Sequence, residues 1–134
     1  MADPMAVLER HMAAWNSKDA NADPWTAEAE LVAPDGQTRG RDQILGWLRG
    51  YWEAFPDAHN EIVRSISSGV LVAAEGRMTG THTGTLWTPS GDIPPTGKRV
   101  EVRWMAMFET AGDELISEHS YFDQVEFMAQ LGLA

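Results

Sequence analysis

The chain has 134 residues, no cysteine, a formal charge of −10, six tryptophans and seven methionines. Without thiols there are no disulfides, thiolate nucleophiles or thiolate metal sites, and the acidic balance argues against nucleic acid or an anionic membrane as partner. The length suits one domain over 1–134 with a real core; no leader-like amino terminus and no apolar run near the roughly 20 residues of a bilayer span is read, so a cytoplasmic protein is expected.

Asp3-Pro4 is a helix start, with the carboxylate as cap and proline in the first turn. Leu8, His11, Met12 and Trp15 follow at helical spacing until Asn16–Asp19 ends the run. His11 thus sits on the apolar face and reads as a core histidine in preference to a catalytic one. Asp23-Pro24 repeats the start signal and predicts a short second helix, and Glu30–Ala33 reads as a short strand before the Pro34-Asp35-Gly36 turn. From Gly40 to Phe55 the clearest helix places Ile44, Trp47, Leu48, Tyr51 and Phe55 on one stripe, closed by Pro56-Asp57. Gly46 and Gly50 weaken it locally and suggest room for close packing.

Beyond Pro56 the period becomes two. Asn60–Ser67, Val70–Gly84, Arg99–Thr110 and Glu114–Phe122 are candidate strands. They are separated by Ser68-Gly69, by a proline-rich arm over Thr85–Lys98, and by Ala111-Gly112-Asp113. Gln124 opens a terminal helix with Phe127, Met128 and Leu131 on one side and Gly132 as its stop. Helices first, then antiparallel strands, then a short helix predict an α+β fold in which a strongly curved, mostly antiparallel sheet wraps on the front helices. The tryptophans and methionines read as a large-residue core or as the walls of an apolar cavity for a flat organic ligand. Under the second reading Trp15, Trp47, Tyr51, Phe55, Met78, Trp104 and Tyr121 are the candidate substrate-binding residues.

Five motifs occur in order: Phe55-Pro56-Asp57, Gly80-Thr81-His82-Thr83-Gly84, Ile93-Pro94-Pro95-Thr96-Gly97-Lys98, Tyr121-Phe122-Asp123 and Gln130-Leu131-Gly132. From about Trp15 to the carboxyl terminus the chain resembles the SnoaL-like polyketide cyclases of the nuclear-transport-factor-2-like superfamily, which also holds ketosteroid isomerases and limonene epoxide hydrolases. The resemblance implies a cone-shaped α+β barrel, a homodimer or homotetramer, and ring closure of a polyketide-derived substrate by aldol chemistry, with no cofactor and no metal. It also implies that the aspartate ending the last strand, here Asp123, is the general acid/base.

Asp123 can equally be an ordinary N-cap, and the two roles are compatible. His119, four residues earlier, falls on the same strand face as Tyr121 and Asp123 and reads as a second pocket group or a buried spacer. His82, between glycines and threonines at a strand end, faces the cavity mouth or caps the strand. The penultimate strand is apolar past Arg103 whichever face turns inward, Trp104, Ala106 and Phe108 or Met105 and Met107. That suits a cavity in which shape holds a reactive conformer. Arg103 is an oxyanion partner if inward and a solvated or salt-bridged arginine if outward. No HExxH, paired-histidine or carboxylate cluster predicts a metal, and no GxSxG elbow or phosphate loop appears. The leading expectation is a cyclase of secondary metabolism acting on an apolar small molecule, with Asp123, His119 and His82 as candidate catalytic residues. The alternatives are isomerisation, pericyclic closure or hydroxylation in the same scaffold, or a ligand-binding module without turnover.

Overall fold

The computed structural model describes residues 3–134. Helix α1 (Pro4–Ser17) starts as its sequence dictates: Asp3 accepts the Met5 N–H at 3.0 Å, with proline in the first turn. Lys18 ends it in the left-handed region at φ 58°. The second helix expected at Asp23-Pro24 is absent. A single 3₁₀ turn, Ala20–Ala22, precedes it, and strand β1 (Trp25–Ala33) follows at once. The physical reason is that the Asp23 side chain is engaged by His11 at 2.6 Å and caps nothing.

Strand β2 (Gly36–Arg39) returns along β1, and α2 (Arg41–Ala54) buries Ile44 and Leu48 of the expected stripe together with Leu45 and Trp52, leaves Trp47 and Tyr51 half-buried, and ends before Phe55. Strands β3 (His59–Ser68) and β4 (Leu71–Thr81) form a long hairpin. The arm after them is a small hairpin of its own, β5 (Leu86–Thr88) with β6 (Gly91–Ile93). Strands β7 (Arg99–Ala111) and β8 (Glu114–Phe122) follow, then α3 (Gln124–Gln130).

The main sheet has the order β2-β1-β8-β7-β4-β3. It is antiparallel except for the β1–β8 pair, whose alignment of Trp25 with Leu115 and Leu31 with Glu118 brings the first strand beside the last. Helices α1 and α2 cover its inner face, α3 packs on β7, and the whole is a cone-shaped α+β fold with an open sheet. One continuous apolar core, including Leu8, Trp25, Leu31, Ile44, Phe108 and Leu115, fills the narrow part.

Two close approaches fix the inner surface. A Cβ on Gly76 would lie 2.1 Å from the Trp104 ring, so only glycine lets that indole lie flat on β4. The indole N–H then donates to Asn60 Oδ1 at 2.8 Å, and Asn60 is itself tied through its backbone N–H and C=O to the Asn16 side chain at the end of α1. Gly46 and Gly50 do something other than the expected close packing: a Cβ on either would meet nothing within 4 Å, because both face an open cleft.

Candidate active site

Between the helices and the inner face of the sheet lies an apolar cavity of about 80 Å³, and at its polar floor is a buried ionic triad. His11 Nδ1 lies 2.6 Å from Asp23 Oδ1, and His11 Nε2 lies 3.5 Å from Glu118 Oε1. Ser120 Oγ donates to the other oxygen of Glu118 at 2.6 Å. His11, Asp23, Glu118 and Ser120 are all buried. Burial by itself disfavours the imidazolium, but Asp23 and then Glu118 outweigh it and push His11 up to about 10. At neutral pH His11 is therefore protonated, held between the Asp23 and Glu118 side chains. The rings of Trp25 and Phe108 stand edge-on to the buried His11 imidazole at 5.4 and 5.9 Å.

The sequence builds this arrangement in three steps. Helical spacing on α1 turns His11 inward with Leu8 and Trp15. Arg41, in the first turn of α2, donates to the backbone carbonyls of Asp23 at 2.5 Å and Trp25 at 3.1 Å, as well as to that of Ala20, and so clamps the turn that presents Asp23. On β8 the register slips: Ser117 faces Glu109, but Leu115 already faces Thr110, leaving Ile116 as the extra residue of a bulge. That slip reverses the alternation. Past it Glu118, Ser120 and Phe122 point inward, opposite Phe108, Ala106 and Trp104.

Apolar side chains make the walls. Trp15, Trp47, Tyr51, Met78 and Trp104 line the cavity, with Met12, Leu48, Phe108, Phe122 and Phe127 completing it. Val102, Trp104, Ala106 and Phe108 are the inward set of β7. Met105 and Met107 face out, and Arg103 pairs with Glu126 at 2.8 Å on the surface.

Several candidates lie elsewhere. Asp123 is exposed; its Oδ1 accepts the N–H groups of Val125 at 2.9 Å and Glu126 at 3.1 Å, the N-cap geometry of α3, and it does not line the cavity. His119 and Tyr121 do share a face, but it is the outer one: His119 lies 3.6 Å from Glu30, and Tyr121 is 61% exposed. His82 is fully buried at the end of β4, stacked on Phe55 at 5.2 Å, with its Nδ1 accepting the Thr96 N–H at 3.2 Å. Burial pushes its pKa down, so it is a neutral packing residue that anchors the arm. Phe55 is buried beneath His82 and Phe127 and does not reach the cavity.

The polar set that does face the cavity is thus His11, Glu118 and Ser120, backed by Asp23. His11 was on the correct helix face, but a histidine among apolar residues carries no sign of its partners, which come from a turn and from the far end of the chain. Among the described residues no cluster of three or more ligating side chains converges on a metal position; Asp23 and Glu118 sit on opposite nitrogens of one ring. Nor is any helix among them long and apolar enough to cross a membrane.

Among curated proteins none matches the sequence. The fold superposes on AclR, a proposed hydroxylase from Streptomyces galilaeus, with TM-score 0.83 and 21% identity over 100% of this chain and 87% of that one. It superposes likewise on a proposed SnoaL-like polyketide cyclase from Jannaschia sp. CCS1, with TM-score 0.84 and 18% identity over 98% and 92%. IdmH, a proposed polyketide cyclase from Streptomyces antibioticus, gives TM-score 0.82 and 24% identity over 98% and 99%. At these identities the likeness establishes the fold. The SnoaL-like domain matches residues 8–119, from the turn of α1 before His11 to the strand that carries Glu118, and the chain belongs to the SnoaL-like domain family.

Proposed function

We propose that the protein is a cyclase of secondary metabolism that closes a ring in an apolar, polyketide-derived substrate by proton transfer at Glu118 and His11. The observation that carries this reading is the His11–Glu118 contact at the floor of an otherwise apolar cavity, where a base and an acid face the same space. Glu118 takes a proton from a carbon between two carbonyls. The His11 Nε2–H stabilises the enolate oxygen, for which the long 3.5 Å contact to Glu118 leaves it free. The enolate carbon then bonds to a second carbonyl carbon, and the resulting alkoxide takes back the proton held by Glu118. No electrons are gained or lost. Asp23 keeps the imidazole charged and oriented, Ser120 fixes the Glu118 rotamer, and the aromatic walls hold the chain folded on itself.

The enclosed 80 Å³ is small beside the ~300–1,000 Å³ of ordinary ligand clefts. Tyr51, Phe122 and Phe127 separate it from an outer cleft of about 650 Å³ beneath the β5–β6 hairpin. A substrate of two or more rings spans both spaces once those side chains turn aside.

The test is enolisation of a bicyclic ketone, 2-tetralone, followed as α-hydrogen exchange in D₂O by NMR. Wild-type protein is expected to accelerate exchange above buffer. Glu118→Gln removes the base and lowers that acceleration by ~10²–10⁴, and His11→Gln lowers it comparably. Absence of any acceleration by wild type, or full activity in Glu118→Gln, sinks the reading.

The same proposal includes a homodimer joined through the outer sheet face. Met105, Met107 and Tyr121 are exposed there on the paired strands β7 and β8, with Ile66 on β3 beyond β4, an apolar patch that a second copy can cover.

A further inference from the structure

Outside the cavity, the carboxylate of Asp35 has only half its hydrogen-bonding capacity met. Its Oδ2 accepts both the Trp47 indole N–H and the Tyr51 hydroxyl, each at 3.0 Å. Its Oδ1 is buried and has no partner, and among the described residues no cationic side chain pairs with it. An anion with one bare oxygen beside aromatic rings is costly unless something positive visits it.

The surroundings have the shape for such a visitor. Asp35 lines a cleft of about 370 Å³ between α2 and the β5–β6 hairpin, walled by Trp47, Tyr51 and the 57%-exposed Trp87. The Trp47 and Tyr51 rings meet at 68° with centroids 4.8 Å apart, making an aromatic corner. Gly46 and Gly50 form its floor, and a Cβ at either would meet open space, so nothing of the protein fills the cleft. Tyr51 is held in its neutral phenol form by burial and by Asp35, so it donates to the carboxylate and does not compete as a second anion.

We propose that Asp35, Trp47, Tyr51 and Trp87 form a binding site for the protonated amine of an organic ligand. The ammonium pairs with the Asp35 carboxylate, and its alkyl groups lie against the indole and phenol faces, where ring quadrupoles attract a cation. A neutral group of the same shape gains the apolar contact but leaves the carboxylate unpaired.

The probes are 2-(dimethylamino)ethanol, protonated at pH 7, and its uncharged isostere 3-methylbutan-1-ol, titrated against full-length protein and followed by the indole N–H resonances. The amine is expected to shift the Trp47 and Trp87 signals at least ~10-fold more tightly than the alcohol, and less tightly as salt is raised. Asp35→Asn should erase that preference. Trp87→Ala, an exposed position whose loss does not disturb the core, should weaken amine binding several-fold and keeps the test decisive if Asp35→Asn fails to fold. Equal binding of amine and alcohol, or amine binding unchanged in either folded variant, overturns the proposal. Since the readout is binding without turnover, its result is independent of the enolisation assay.

Discussion

At the scale of single residues, the charge on His11 sets a pH dependence whose sign can be worked out. In the unfolded chain its imidazole titrates near 6.5, whereas in the folded protein the Asp23 and Glu118 carboxylates hold it to about 10. Below pH 6.5 both states carry the proton, and the stabilisation by the carboxylates is present in full. Between 6.5 and 10 the native state keeps a proton that the unfolded state has lost, so stability falls as pH rises, with a slope of up to about 1.4 kcal/mol per unit. Urea unfolding at a series of pH values should show this decline in wild type and a shallower one in His11→Gln. Identical slopes would mean that His11 is neutral in the folded protein. On His82 burial outweighs a backbone hydrogen bond with Gly84 and works in the opposite direction, costing stability as pH falls through the ordinary histidine range, which is why the comparison between variants isolates His11.

At the scale of elements, the bulge in β8 decides which side chains past Ile116 face the cavity. Because Asp123 lies beyond the inward-facing run and caps α3, Asp123→Ala should cost about 1 kcal/mol of stability through the lost cap. It should leave the acceleration of 2-tetralone exchange near the wild-type level. A stability loss without an activity loss, measured on the same sample, places the carboxylate in the helix; a collapse of activity returns it to the site. The same strand shows what the sequence made legible. Its limits, Glu114 to Phe122, are readable from the residue pattern, as are the cap at Asp3, a helix opening at Gly40 (one residue before the observed start) and the aromatic side chains Trp15, Trp47, Tyr51 and Trp104 that border the cavity. The bulge at Ile116 is not, because an extra residue in a strand depends on its pairing with β7, and one residue of slip exchanges the faces of everything after it. The expectation that His119 and Tyr121 share a face with Asp123 takes that face as the pocket side; the structure turns Glu118 and Ser120 inward instead. Asp23 was misread for a related reason: a carboxylate before proline signals a helix locally, and only the tertiary contact with His11 redirects it.

At the scale of the whole molecule, the outer sheet face carries two opposing influences on self-association. Met105, Met107 and Tyr121 lie on paired strands, Met105 directly opposite Tyr121, and Ile66 extends the patch across Ala73 to Met107. Arg64–Glu75 and Arg77–Glu101 ion pairs border it, so each copy offers both signs of charge around an apolar centre. A two-fold axis through such a patch buries it against itself, and ~800 Å² per partner is the usual size of a stable contact. Against this, each chain carries a formal charge of −10, and two such bodies repel over distances that 0.15 M salt screens to about 8 Å. The dimer should therefore tighten as salt is raised from 10 to 150 mM, the reverse of an association driven by the border ion pairs. Met107→Glu adds like charge at the centre of the patch, 45% exposed in the single chain, and should shift the protein to monomer at both salt concentrations without altering cavity chemistry. Sedimentation equilibrium reads both effects: a wild-type protein that stays monomeric at 150 mM salt, or a Met107→Glu variant that associates as wild type does, rules out this face as the dimer contact.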